Sequence, residues 1–207
     1  MYNDPTIDQL VAMKSARFAH FSALGTWSDG KECKICGAHT YEYIPPLLVR
    51  WEPSTEIIGD FSWDGPFGYL FIVKDHVAKF LRAMIFGCDF YSVEYVPPKQ
   101  KRKIKCCPYP YEGTELKWGK CNTFVDLDLQ ASEVSIRESC SVCGTVDYTF
   151  RNNGIVIPRR NWRGEKMFRI TTNGKSLATF VTEEGRSLIE DAGFSNVAFA
   201  EAGEISE

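Results

Sequence analysis

The clearest period along the chain is helical. In KDHVAKFLRAMIF, residues 74–86, Val77, Phe80, Leu81 and Met84 recur at three- and four-residue intervals. Asp75 stands in the first turn, where a carboxylate meets the positive end of the helix dipole, and Gly87 supplies the stop. A second helix is predicted from Thr182, whose hydroxyl can cap the first amides. Glu183 and Glu184 occupy its first turn and Ala192-Gly193 ends it. Around it, residues 167–171, 177–181 and 197–200 read as strands, so that residues 165–207 form a β-β-α-β unit.

Elsewhere the period is closer to two. Residues 69–73 make a short apolar strand, and residues 89–96 alternate until Pro97-Pro98 stops them. Residues 121–136 carry a strand pattern in which TFVDLDL alternates cleanly, and residues 146–150 and 154–157 read as a hairpin around Asn152-Asn153-Gly154. The segment TYEYIPPLLVRW, residues 40–51, favours extended backbone broken by Pro45-Pro46. Residues 59–68, GDFSWDGPFG, are turn chemistry loaded with aromatics. A basic run, prolines, glycines and three cysteines make residues 99–121 read as loop. The first 30 residues stay open: 8–14 are compatible with a short helix and 16–24 with a strand. The pattern as a whole is α+β, with a mixed or antiparallel sheet and few helices.

Composition narrows the class. Of 207 residues, 44% are hydrophobic and 25% charged, which suits a globular fold, and one domain over residues 1–207 is the default at this length. Apolar runs such as residues 69–73 fall far short of the roughly 20 residues that cross a bilayer. Residues 1–12, with Asp4, Pro5 and Asp8, lack the basic and apolar segments of a secretory signal, so a cytosolic location is expected. Eight cysteines in a reducing compartment point to metal rather than to disulfides. A formal charge of −3 and a pI near 5.7 weigh against nucleic acid as the main partner and suit a basic protein.

Two pentapeptides carry the chemistry: Cys33-Lys34-Ile35-Cys36-Gly37 and Cys140-Ser141-Val142-Cys143-Gly144. Two residues between thiolates let both sulfurs reach one metal from a tight turn, and a trailing glycine can take the left-handed conformation that closes it. Together the knuckles supply four thiolates, Cys33, Cys36, Cys140 and Cys143, for a closed tetrahedral Zn²⁺ site with no position for water, which makes the zinc structural. The intervening 103 residues, 37–139, would be closed into one loop. That closure restricts the unfolded chain by about 4–5 kcal/mol in the entropy model. The alternatives are unliganded thiols or a redox dithiol, against which the repeat of the motif with its glycine weighs. Cys88, Cys106, Cys107 and Cys121 lack knuckle spacing and read as plain buried thiols, with a second site or competition from Cys106-Cys107 as alternatives. His39 lies beside the first knuckle as a bystander.

In CKICG, CSVCG and the tail FRITTNGKSLATFVTEEGRSLIEDAGFSNVAFAEAGE, the chain resembles the bacterial double-CXXCG-motif family. Members of that family act as immunity proteins that neutralise cognate toxins in contact-dependent rivalry between bacteria. The resemblance spans nearly the whole chain, although the cysteine-rich stretch 106–121 lies outside its pattern. It implies a stoichiometric toxin-binding role without catalysis.

The residues themselves are compatible with that expectation. The three histidines, His20, His39 and His76, fall in no recognisable catalytic motif, and no phosphate- or dinucleotide-binding loop is present. An acidic face is expected from Glu183, Glu184, Glu190 and Asp191, and a further surface from Asp60, Trp63 and Asp64, whose aromatic ring is either an interface anchor or core. The alternative is a zinc-ribbon-like nucleic-acid-binding or regulatory protein. It would use Lys99, Lys101, Arg102, Lys103 and Lys105, or Arg159, Arg160, Arg163, Lys166 and Arg169 around Trp162.

Overall fold

The computed structural model describes residues 6–11, 17–24, 33–37, 43–53, 55–64, 70–98, 107–143, 146–149, 154–170 and 178–206. The chain is α+β, with two helices, two six-stranded mixed sheets and a separate hairpin among these residues. One sheet contains β2 (Phe21–Leu24), β3 (Leu47–Trp51), β4 (Phe61–Trp63), β5 (Phe71–Lys74), β6 (Cys88–Tyr95) and β7 (Leu116–Cys121), in the order β2-β3-β6-β7-β5-β4. The other contains β1 (Thr6–Val11), β8 (Phe124–Val125), β11 (Ile155–Pro158), β12 (Met167–Ile170), β13 (Phe180–Thr182) and β14 (Ala198–Ser206), in the order β11-β14-β1-β13-β12-β8. Among the described residues, strands β9 (Ser135–Ser139) and β10 (Val146–Thr149) pair only with each other. Parallel pairing joins β3 to β6, β8 to β12 and β11 to β14.

Both predicted helices are present, as α1 (Asp75–Ala83) and α2 (Glu183–Asp191). Asp75 pairs with Lys79 one turn on. Beyond α1 the chain turns through left-handed backbone at Ile85 and Gly87. Thr182 caps α2, its hydroxyl accepting from the Gly185 amide at 3.2 Å. The C-terminal β-β-α-β order is also present, but its strands do not pair directly with one another across the helix. β1 lies between β13 and β14, antiparallel to both.

That placement corrects the helical option over residues 8–11 of the stretch 8–14, whose remainder lies outside the described residues. Thr6, Ile7 and Val11 are β-branched, and both edges of β1 carry ladder hydrogen bonds, so tertiary pairing decides the local structure. Asp8 on this central strand is buried and meets the Arg186 guanidinium of α2 at 3.4 Å. The loop expected over residues 99–121 is corrected as well, because its last six residues are β7, a central strand flanked by β6 and β5. The long strand expected over 121–136 shrinks to β8, a turn and the start of β9. The hairpin around Gly154 is absent: β10 pairs with β9, while β11 joins β14 in the other sheet.

Alternation across β4, β5 and β7 divides the core. Trp63, Phe71 and Gly119 are register partners on one face, and Ser62, Ile72 and Trp118 on the other. The first face joins Leu81 of α1, Met167 and Val181 of the other sheet, and Ile189 of α2 in one buried cluster, so the helices and both sheets share a core. The second face packs on Phe21, Val49 and Trp51. Beyond the far face of the C-terminal sheet, Ile7, Ile157, Phe168 and Phe180 form a third cluster with Trp162 at its margin.

Gly119 is required by this packing, since a Cβ there would lie 2.1 Å from Cε2 of the buried Phe71 ring. Gly119→Ala should therefore destabilise the protein by about 1–3 kcal/mol, the range for overpacking a filled core, read as a lowered urea midpoint with an unchanged slope.

Candidate metal centre

The first knuckle follows β2, and the second forms the tip of the β9–β10 hairpin. Local geometry makes the first a closed turn: the Gly37 amide donates to the Cys33 carbonyl at 2.8 Å, and Gly37 takes φ +64°, the left-handed conformation anticipated for the trailing glycine. Its counterpart Gly144 lies outside the described residues. At the second knuckle, the Cys140 thiol is pulled below its ordinary pKa, first by the Cys143 amide and then by the Val142 amide, both donating to sulfur. Amides aimed at sulfur stabilise a thiolate, the form a metal requires.

The fold brings the two knuckles together. Cys33 faces Cys140 with sulfurs 3.7 Å apart, Cys36 faces Cys143 at 3.5 Å, and all four sulfurs lie within 4.8 Å of one another. These separations are far beyond the roughly 2.05 Å of a disulfide. They match the sulfur–sulfur edge of about 3.8 Å that follows for a tetrahedron with metal–sulfur bonds of about 2.3 Å. Four sulfurs within 4.8 Å of one another can hold a metal ion. Cys33 and Cys140 are buried, and Cys36 and Cys143 face solvent.

The other cysteines stand apart from this centre. Cys107 is buried near the Thr55 carbonyl, while Cys88 and Cys121 are opposite one another on β6 and β7 in the shared core. Cys106 and His39 lie outside the described residues.

The expected partner surfaces resolve differently. Trp63 is 1% exposed and its indole N–H donates to the Asn196 carbonyl at 2.7 Å, so of its two readings the structure has the core one, and the ring is not offered to a partner. The turn residues on either side are also engaged. Asp64 accepts from the Ala23 amide at 3.1 Å. Asp60 accepts from the Ser195 hydroxyl at 2.6 Å and the Ser195 amide at 2.9 Å, and meets Lys74 at 3.2 Å and His76 at 3.4 Å. In this trio the carboxylate sits between hydroxyl and imidazole, whereas activation of a hydroxyl needs the imidazole in the middle. Asp60 instead ties the start of β4 to the turn before β14. Sequence reading missed Ser195, Asn196 and Arg186, because their roles depend on remote partners.

Glu183, Glu184, Glu190 and Asp191 are exposed on α2. Glu184 meets Lys166 at 3.2 Å and Glu190 meets Arg186 at 3.0 Å. The Trp162 ring proposed for base stacking is covered by Arg159, donates to the Glu165 carbonyl and packs at the margin of the third cluster, which disposes it as a core lid. The basic run 99–105 lies outside the described residues. No protein-family model matches the chain, and no curated protein matches it. Among the described residues, no helix is long and apolar enough to cross a membrane.

Two outcomes follow for stability. If the four cysteines hold a metal, a strong chelator should lower unfolding stability by about 4 kcal/mol or more, measured by urea titration, and Cys36→Ser should do the same without chelator. Burial alone would raise the Asp60 pKa, but donation from Ser195 and Lys74 outweighs it and holds the carboxyl below its ordinary value. Its contribution is thus present above the ordinary carboxylate range and is lost as pH falls through the lowered value. Asp60→Asn should be less stable at pH 7 and show a flatter loss of stability below about pH 4, where unfolded aspartates begin to protonate.

Proposed function

We propose that this chain is a non-catalytic immunity protein that binds and neutralises a cognate bacterial toxin, its fold held by a structural Zn²⁺ on Cys33, Cys36, Cys140 and Cys143. The observation that supports the reading is the cluster of four cysteine sulfurs within 4.8 Å of one another: a zinc held by all four would have every tetrahedral position filled by protein, leaving none for water or substrate. Zinc suits the set because it has no geometric preference to oppose a tetrahedron and binds thiolate strongly.

The acidic helix supplies the binding side of the proposal. Glu190 and Asp191 lie in the last turn of α2, which has no basic residue, at the negative end of the helix dipole. Carboxylates there work against local stability, and Arg186 offsets only Glu190 directly. A helix that keeps carboxylates at both ends suits the capture of a basic surface, such as that of a toxin acting on nucleic acid. The sequence resemblance to the double-CXXCG family points the same way.

The test is co-purification with the product of the gene immediately upstream, together with elemental analysis. A one-to-one complex and about one zinc per chain support the proposal. Glu183→Lys with Asp191→Lys should slow association about tenfold at low salt and much less at high salt. Retardation of generic DNA or RNA that weakens steeply with salt, with no complex formed, would overturn it in favour of nucleic-acid binding.

A further inference from the structure

We propose a second metal site, for a soft monovalent cation of the Cu(I) class, built from Cys88, Cys121 and the Met167 thioether where the two large sheets meet. The antiparallel register of β6 and β7 sets Cys88 directly opposite Cys121. From the other sheet, β12 brings Met167 to both of them: its Sδ lies 3.1 Å from the Cys88 sulfur, and its carbonyl oxygen 3.5 Å from the Cys121 sulfur. Strand register and the contacts of Met167 thus bring two thiols and a thioether into one neighbourhood of the shared core, with Cys121 and Met167 buried and Cys88 partly open to solvent.

The donor set selects the ion. Thiolate and thioether are soft ligands that favour Cu(I), whereas a thioether is a poor ligand for Zn²⁺ and for hard cations. The only cluster of three or more histidine, cysteine or acidic side chains among the described residues is the Cys33, Cys36, Cys140 and Cys143 group, so no imidazole or carboxylate completes a four-donor zinc site here. A low-coordinate ion is what three sulfurs can satisfy. If one thiol gives its proton to solvent, the thiolate cancels the charge of Cu(I), and a neutral unit suits an apolar core. The aromatic and aliphatic wall, including Phe86, Phe90 and Leu81, would shield the ion from water and oxygen.

The site is independent of toxin binding and is tested without it. Reduced, zinc-loaded protein is titrated anaerobically with Cu(I) held by a bathocuproine competitor, while a zinc indicator follows release from the knuckles. The proposal expects one equivalent of Cu(I) taken up with zinc retained. It expects no uptake by Cys121→Ser, and affinity weakened at least about tenfold in Met167→Leu, the lower end of what even outer-shell partners of a metal site cost. Zinc content and cooperative melting report folding of each variant. Should Cys121→Ser fail to fold, the near-isosteric Met167→Leu decides alone. Absence of uptake, uptake matched by zinc release, or unchanged affinity in Met167→Leu overturns the proposal and leaves the zinc and toxin readings standing.

Discussion

Four sulfurs from turns 103 residues apart must share one small volume, and the hairpin of β9 and β10 depends on that constraint most directly. All five residues of β9 are exposed, so this strand contributes nothing to a core. A two-stranded hairpin of this kind is marginal in water. Its root is fixed: Ser132, fully buried, exchanges hydrogen bonds with Val156 through its hydroxyl, and its amide donates to the Asp128 carbonyl. At the tip, the described contacts are those of the Cys140 and Cys143 sulfurs with Cys33 and Cys36. A metal held at the tip would do for the hairpin what a hydrophobic face does for the larger sheets. Without it, four thiolates could not remain ionised side by side, and the knuckles would have no reason to stay in register.

A second closure runs through the C-terminal sheet. Because β1 is the strand between β13 and β14, this sheet cannot be completed until the first described residues meet the last. Its pairing is non-local by construction, which favours slow folding over fast. The buried Asp8 in this strand is tolerable because α2, following β13 directly, delivers Arg186 to it. Strand order and helix placement thus enforce each other. The metal centre adds a third long-range link in a fold that already relies on distant partners.

What could be read from the sequence follows from the range of the forces involved. Helices α1 and α2 were legible because capping and three-four spacing are local, and Thr182 caps where its position says it should. The four-cysteine set was legible because two pentapeptides share the Cys-x-x-Cys-Gly pattern, and the fold brings those four cysteines together in the described residues. β7 was not legible: Leu116 and Trp118 do alternate, but Gly119 reads as a turn until the Phe71 ring that needs its empty side is known. β1 was obscured by Asp8, whose partner lies 178 residues away. The aromatic turn near residue 60 was ambiguous for the same reason, since Trp63 looks like a surface anchor until the Asn196 carbonyl receives its N–H.

The cysteines show how one side chain divides into different chemistries by surroundings alone. At the knuckles, amide donors and an open side to solvent favour the thiolate and allow a doubly charged ion to be matched by several negative sulfurs. Between β6 and β7, the neighbouring Cys121 thiol and then burial push the Cys88 thiol up, and an apolar wall penalises net charge. A divalent ion with four thiolates would be too charged for that core and has too few donors there, whereas a monovalent ion with one thiolate would not be. Metals of different hardness would consequently sort between the two sites without any selectivity filter. The sorting rests on the same strand register that packs the core, because moving β7 by one residue against β6 would point Cys121 to the opposite face and dissolve the sulfur cluster.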